Sequence, residues 1–415
     1  MKAIVFHHYG SPDVLKCEEI ARPTAGDNEV LIKVRAAALN PYDWHFMRGM
    51  PYLIRAMAGL RKPKVTRLGF DVAGQVEAVG RKVTQFKPGD PVFGACAGAR
   101  AGAFAEYACT SESALAMKPH NVTFEQAAAV PMCALTALQG LRDKGHIKPG
   151  QKVLVNGAAG GVGSLAVQIA KSFGTEVTGV CSTRNVDMVR SIGADHVIDY
   201  TQQDFTKRGH RYDLILDAVG NRPLSAMRRI LSSNGILVMA GGQAGRWMIG
   251  PVARAIQASL LSRFGSQKLV GLLARASKED LSIMRDLMAA GKVTPVIDRR
   301  YKLNEVPAAI RYLEEGHARG KVVISFDDSH KASNQIETTS NFRRVPAGLD
   351  TSGGQVGHQS RIRGKKVVVR QLPRQDPGHL LKDRRHDLVV GVYLRGKEAN
   401  FEFLSRIAIS MRDPR

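Results

Sequence analysis

The stretch Asn156-Gly157-Ala158-Ala159-Gly160-Gly161-Val162-Gly163-Ser164 has the residue types that hold a phosphate with backbone rather than with charged side chains. Glycines allow a tight turn, and N–H groups can then approach an anion closely. An apolar run, Val153-Leu154-Val155, enters the turn, and a helix-forming run, Leu165-Ala166-Val167-Gln168-Ile169-Ala170, leaves it. Strand, glycine turn and helix in that order open a dinucleotide-binding βαβ unit, whose helix N-terminus offers free N–H groups and partial positive charge to a pyrophosphate. Ala158 stands where the usual pattern has its first glycine, so the spacing is A-x-G-x-x-G. The expectation is that Ala159, Gly160, Gly161, Val162 and Gly163 touch the pyrophosphate, with side chains at the three glycines obstructing it.

A second group of residues bears on which dinucleotide. About 20 positions past such a turn, an acidic residue ordinarily bonds the ribose 2′-hydroxyl of NAD. This chain has Cys181-Ser182-Thr183-Arg184-Asn185 there, with no acid. Arg184 can pair with a 2′-phosphate, and the hydroxyls of Ser182 and Thr183 can donate to its oxygens. Missing acid and available guanidinium both favour NADPH over NADH.

These groups need a frame. Strand-type segments at 152–156, 176–181, 196–199, 212–217, 235–240 and 268–273, with helical stretches including 163–173 and 186–193, predict a doubly wound parallel sheet. A ligand would lie at the carboxyl ends of its strands. Residues 1–125 read differently: short strands such as 30–34, 72–80 and 104–108, punctuated by turns such as Lys87-Pro88-Gly89-Asp90, predict a mostly antiparallel β domain. The final strand of the main body, near 320–326, is expected to rejoin that domain. The predicted organisation is α/β: a discontinuous β-rich substrate domain (1–125 completed by 298–328), a dinucleotide domain (126–297), and a basic, poorly ordered extension (329–415).

The chain of 415 residues is 44% hydrophobic and 23% charged, the composition of an ordinary globular protein with a substantial core. No segment is apolar for long enough to cross a bilayer, and the N-terminus reads as a strand rather than a signal peptide. Cys17, Cys96, Cys109, Cys133 and Cys181 are scattered without C-x-x-C spacing, which argues against a disulfide framework and for a cytoplasmic location. A net charge of +23 can attract polyanions, yet aromatics are only 6% and no nucleic-acid module is evident, so no specific nucleic-acid partner is expected. From Arg246 to Arg275, apolar residues including Trp247, Met248, Ile256, Leu260 and Phe264 alternate with cations. That pattern suits weak contact with an anionic membrane surface, or else a helix packed over the cleft or between subunits.

The order of several separated stretches resembles the medium-chain dehydrogenase/reductase superfamily, and most its zinc-independent quinone oxidoreductase branch, which includes zeta-crystallin-like and reticulon-interacting oxidoreductases. The stretches are Ala37-Ala38-Leu39-Asn40-Pro41-Tyr42-Asp43, Leu68-Gly69-Phe70-Asp71-Val72-Ala73-Gly74, Phe86-Lys87-Pro88-Gly89-Asp90, the glycine turn, Gly193-Ala194-Asp195-His196-Val197-Ile198-Asp199-Tyr200, and Gly316-His317-Ala318-Arg319-Gly320-Lys321. They cover roughly residues 1–328. The resemblance implies a GroES-like first domain and a Rossmann second domain. It also implies that Tyr200 reaches the 2′-phosphate, that Asn40 and Thr136 lie near the nicotinamide with Ala218, Val219, Ala240 and Gly241 at later strand ends, and that Lys321 closes the site.

Zinc-dependent members carry a cysteine near the Asn40–Asp43 turn and Gly-His-Glu where Gly69-Phe70-Asp71 stands here, so no metal is expected. The implied activity is hydride transfer from NADPH to a quinone or an α,β-unsaturated carbonyl, with Asn40 and Tyr42 as the catalytic candidates. Tyr42 is the protein's candidate proton donor, water the other, while Asp43 braces the turn. An NADPH-binding structural or regulatory protein with little turnover is the alternative. Relatives without zinc pair sheet edges, so 268–273 is the expected homodimer edge.

Overall fold

The computed structural model describes residues 1–96, 102–207, 209–241, 249–263, 265–326, 359–362 and 365–368. One compact unit contains Met1–Asp327. Its first half runs β1 (Lys2–Val5), β2 (Lys16–Glu19), β3 (Glu29–Ala38), α1 (Pro41–Arg48), α2 (Leu53–Ala58), β4 (Asp71–Val79), β5 (Pro91–Ala95), β6 (Tyr107–Ser111) and β7 (Leu115–Met117). Helices α3 (Phe124–Ala128) and α4 (Pro131–Gln139) lead into the second half, where strands alternate with helices. That half comprises β8 (Lys152–Asn156), α5 (Gly161–Ser172), β9 (Glu176–Cys181), α6 (Val186–Ser191), β10 (His196–Asp199), β11 (Tyr212–Asp217), α7 (Leu224–Arg229), β12 (Leu231–Met239), α8 (Ile249–Arg263) and β13 (Lys268–Gly271). The chain then continues through α9 (Lys278–Ala289), β14 (Ile297–Tyr301), α10 (Val306–Glu314) and β15 (Lys321–Ser325).

Strands β8–β13 form a six-stranded parallel sheet in the order β10-β9-β8-β11-β12-β13. Its strands read as continuous apolar runs because both faces are covered. Val153 and Val155 of β8 join one core with α4, α5 and α9, while Leu154 joins another with Leu224 and Met227 of α7 and Ala258 of α8. Strand order reverses between β8 and β11, the switch point at whose carboxyl ends such sheets bind their ligands.

The other sheet has the order β14-β15-β3-β4-β5-β7, with β6 also paired to β3. Strand β15 returns from the far end of the unit to lie antiparallel to β3, pairing Val323 with Ala38. The fold is therefore α/β, with a β-rich GroES-like sheet completed late in the chain and a Rossmann sheet between. The expected strand at 104–108 forms three residues later, as β6; Ala105 instead bridges Ala3 of β1. Strand β12 begins at Leu231 rather than 235.

A second unit lies within Asp328–Arg385. Its described part is an antiparallel hairpin, Gln359–Ile362 with Lys365–Val368, spanning the basic run read from the sequence. The late apolar segments at 388–394 and 401–409 lie outside the described residues, as do Arg246, Trp247, Met248 and Phe264.

Candidate active site

The glycine turn sits at the carboxyl end of β8, and each glycine has its own reason. Gly157 has φ of +86°, a left-handed backbone that side chains resist, and a Cβ there would come within 2.6 Å of Val219. A Cβ on Gly163 would lie 2.0 Å from the Gly157 carbonyl oxygen, so strand and helix could not meet as closely. At Gly161 the neighbours are the Cys133 sulfur at 3.0 Å and the Lys321 side chain at 3.1 Å. At Gly160 the nearest atom is 3.5 Å away, and beyond it the space is open. The expectation that all three glycines clear a path for the pyrophosphate is thus corrected: Gly161 and Gly163 answer to packing within the protein, and Gly160 alone faces open space. Gly160 caps α5 without a side-chain hydrogen bond. The first N–H groups of the helix, from Gly161, Val162 and Gly163, have no intrahelical acceptor and can meet an anion. A pyrophosphate fits this cradle.

Beneath the turn lies a group that sequence reasoning did not assemble. The Lys321 ammonium, buried at the start of β15, donates to Asn40 Oδ1 at 2.6 Å, Leu39 O at 3.0 Å, Asp71 Oδ2 at 3.2 Å and Cys133 Sγ at 3.5 Å. Asp71 also accepts from Asn40 Nδ2 at 3.0 Å and from the Met132 N–H at 2.9 Å, at the head of α4. Burial opposes the charge on Lys321, but the Cys133 thiol and the Asp71 carboxylate beside it hold its pKa above the ordinary lysine value. These four side chains come from β15, β4, α4 and the residue before α1, so the cluster fastens the β-rich sheet to α4. The Gly320 N–H, donating to Ala159 O at 2.8 Å, ties the turn itself to the same strand.

The amide of Asn40 is fully committed: its oxygen accepts from Lys321 and Cys133, and its nitrogen donates to Asp71 and Ala38 O. Asn40 and Lys321 lie together, and their polar atoms are spent on the protein. Asp43 braces the turn, accepting from the N–H groups of Asn40 at 2.8 Å and Gly69 at 3.0 Å. Burial pushes its carboxyl up to about 7, against those two hydrogen bonds. The Tyr42 ring is buried between Phe46, at 4.3 Å between centroids, and Phe70, at 5.5 Å. Thr136 lies one turn beyond Cys133 on α4, its hydroxyl donating to Met132 O at 2.8 Å.

On the neighbouring strand, Ser182, Thr183 and Arg184 follow β9, and the Tyr200 N–H donates to Cys181 O at 3.0 Å, which sets Tyr200 beside them. The Tyr200 side chain is 44% exposed. Ser182 Oγ accepts from Asn185 Nδ2 at 3.1 Å and keeps its own proton for a ligand. Arg184 Nη2 donates to His317 O at 2.6 Å, and the residue is exposed. The Thr183 hydroxyl donates to Asp199 Oδ2 at 2.6 Å, so the acid missing after β9 comes close from the end of β10. That carboxylate also accepts from the Thr201 N–H and hydroxyl, which commits it to its own turn. Ala218 and Val219 follow β11, and Ala240 and Gly241 follow β12. A Cβ on Gly241 would lie 2.1 Å from Ala218 O, so these strand ends touch. Asp217, fully buried, holds that corner by accepting from Asn156 Nδ2 and the Gly220 N–H and pairing with Arg254 of α8 at 3.0 Å. One cation of the 246–275 stretch is therefore turned inward.

Two family models match this chain: the alcohol dehydrogenase GroES-like domain over residues 26–120 and the zinc-binding dehydrogenase domain over 192–324. A chloroplast envelope quinone oxidoreductase homolog of Arabidopsis thaliana is 34% identical over 335 residues, covering 78% of this chain and 98% of that protein. The chain belongs to the medium-chain dehydrogenase/reductase superfamily. Another superfamily relative, the NADPH-dependent alkenal/one oxidoreductase of Arabidopsis thaliana, is 35% identical over 78% of this chain and 79% of its own length. Among solved structures, a quinone oxidoreductase from Coxiella burnetii superposes with a TM-score of 0.70 at 32% identity, covering 79% of this chain and 99% of that one. Among the described residues of this superfamily member, no three His, Cys, Asp or Glu side chains gather in a way that could hold a metal ion.

Proposed function

We propose that the protein is an NADPH-dependent, zinc-independent reductase that passes a hydride to a quinone or an α,β-unsaturated carbonyl. The observation that carries this is the pairing of an open phosphate cradle at Gly160, after β8, with an exposed Arg184 after the neighbouring β9. The relatives support it: one is a quinone oxidoreductase homolog and another an NADPH-dependent alkenal/one oxidoreductase. Lys321 supports the zinc-free part, because its ammonium already lies between Asp71, Asn40 and Cys133. A cation is thus supplied there by the protein itself.

When bound, the dihydronicotinamide supplies the hydride. The chain's own residues bind and orient. The α5 N-terminus and Gly160 hold the pyrophosphate, and Arg184, Ser182 and Tyr200 read the 2′-phosphate, with Thr183 kept on Asp199. Asn40 and Lys321 fix the position of the turn relative to the β-rich sheet rather than touching the cofactor. Tyr42, Phe46 and Phe70 form an apolar wall that excludes water, and the Tyr42 hydroxyl gives the proton that follows the hydride. Tyr42→Phe separates these roles: a donor lowers kcat and changes its pH profile when lost, whereas a wall residue leaves both unchanged.

The protein is read further as a cytoplasmic homodimer. All five cysteines are free, as a reducing compartment allows. Strand β13 is an open sheet edge, with exposed Ile256 and Leu260 on the neighbouring α8, as edge-to-edge pairing needs. The cofactor reading is tested by measuring dissociation constants for NADPH and NADH in the wild type and in Arg184→Ala. Tighter binding of NADPH, weakened by the substitution, supports it; equal constants that the substitution leaves alone reject it.

A further inference from the structure

Between Asp43 and Asp71 the sequence contains no acid, while it contains Arg48, Arg55, Arg61, Lys62, Lys64 and Arg67. The first two are used to build the local fold. Arg48 pairs with Glu314 of α10, and Arg55 donates to Gly49 O at 3.0 Å with its guanidinium 4.7 Å above the Tyr9 ring. Tyr9 in turn donates its hydroxyl to Gly59 O at 2.7 Å, and the Lys64 N–H donates to Ala58 O at 2.7 Å, closing a short loop after α2. The tip of that closed loop is Leu60-Arg61-Lys62. Leu60 is 74% exposed, the most exposed large apolar side chain among the described residues, and Leu53 of α2 is 45% exposed. Arg61, Lys62 and Lys64 are exposed and have no ion pair among the described residues.

The loop tip thus presents an exposed apolar side chain among unneutralised cations, on backbone already fixed by hydrogen bonds. We propose that the loop Gly59–Lys64, together with Leu53, docks the protein on an anionic lipid surface. Leu60 enters the boundary between headgroups and acyl chains, and Arg61, Lys62 and Lys64 face lipid phosphates. A second copy of a chain carrying +23 is repelled by this patch. A stable protein interface needs about 800 Å² on each side, more than a loop tip offers, whereas a membrane accepts a protruding tip. The docking stands apart from the reductase reading, though for a quinone reductase it would hold the protein where apolar acceptors dissolve.

The test is co-sedimentation of the full chain, without substrate, on phosphatidylcholine vesicles with or without about one quarter phosphatidylglycerol. Binding is expected on the anionic vesicles alone. Lys62→Glu with Lys64→Glu is expected to lower the partition coefficient at least tenfold, roughly what several cations contribute at such a surface. Leu60→Ser lowers it further. The same charge change at exposed Lys144 and Lys148 should alter it by no more than about twofold. Unchanged melting temperature and NADPH affinity in every variant show that the fold is intact. No binding to anionic vesicles overturns the proposal, as does equal loss from both charge pairs, which means diffuse attraction. Binding that depends on Lys62 and Lys64 but ignores Leu60→Ser also overturns it, because no apolar side chain then enters the bilayer and the patch is a site for acidic surfaces in general.

Discussion

Gly160 and Gly163 lie three residues apart in one turn, yet their substitution should fail in different ways. Gly160 has φ of −82°, ordinary for alanine, with no protein atom nearer than 3.5 Å to an added Cβ. Gly160→Ala should keep the melting temperature and weaken NADPH binding by at least about tenfold, because the new methyl group intrudes on the cradle. Gly163→Ala places its Cβ 2.0 Å from a backbone oxygen and should lower the melting temperature before affinity can be assigned. Calorimetry and NADPH fluorescence titration on the two variants check this. His45 allows a second prediction. Burial lowers its pKa to about 4 against a hydrogen bond to Met50 O, so the folded state keeps it neutral while the unfolded state takes up a proton near pH 6.5. Its contribution is intact above pH 6.5 and is lost as pH falls toward 4. Asp43, raised to about 7, works in the opposite sense, losing stability as pH rises from about 4 to 7. The comparison with His45→Asn isolates the histidine: between pH 7 and 4.5 the wild type should lose about 2 kcal/mol relative to that variant in urea unfolding. A constant difference would show that His45 is not buried as a neutral ring.

At the scale of elements, the parallel sheet was legible because strands buried on both faces are short apolar runs, and helix-forming stretches separate them. Strand β8 and the turn after it were read directly, and β9, β10 and β11 match the predicted bounds. The β-rich half was less sharp. Phe104 and Ala105 look like strand residues, but Ala105 makes an isolated bridge with Ala3 of β1, the Phe104 N–H donates to Leu68 O, and β6 starts afterwards. The cofactor end of the site was legible because a glycine turn and a charge at strand ends are local signals. The Lys321–Asp71–Asn40–Cys133 cluster was not, because its members are scattered over 281 residues of separation and meet only when β15 returns to β3. Asp199 escaped for the same reason: the acid sought after β9 approaches from the neighbouring strand. The proposed homodimer through β13 predicts that Ile256→Glu with Leu260→Glu gives a monomer in light scattering while leaving NADPH affinity unchanged. A monomeric wild type would reject the dimer, and a dimer indifferent to both changes would place the interface elsewhere.

For the whole molecule, both sheets and the site between them are completed by residue 326, and β15 supplies the last strand of the β-rich sheet. A chain stopped after Ser329 should therefore unfold cooperatively and bind NADPH as the full chain does. Loss of either property would make the extension part of the fold. The proposed activity is hydride transfer from NADPH to an electron-poor acceptor without the help of a metal. It is tested most directly by following the label from NADPH deuterated at C4 in reactions with a panel of quinones and enones. NADPH oxidation is expected with at least one acceptor class, with deuterium from one face of the cofactor recovered at the β-carbon of a reduced enone. Tight NADPH binding with no oxidation and no transferred deuterium on any acceptor would contradict it.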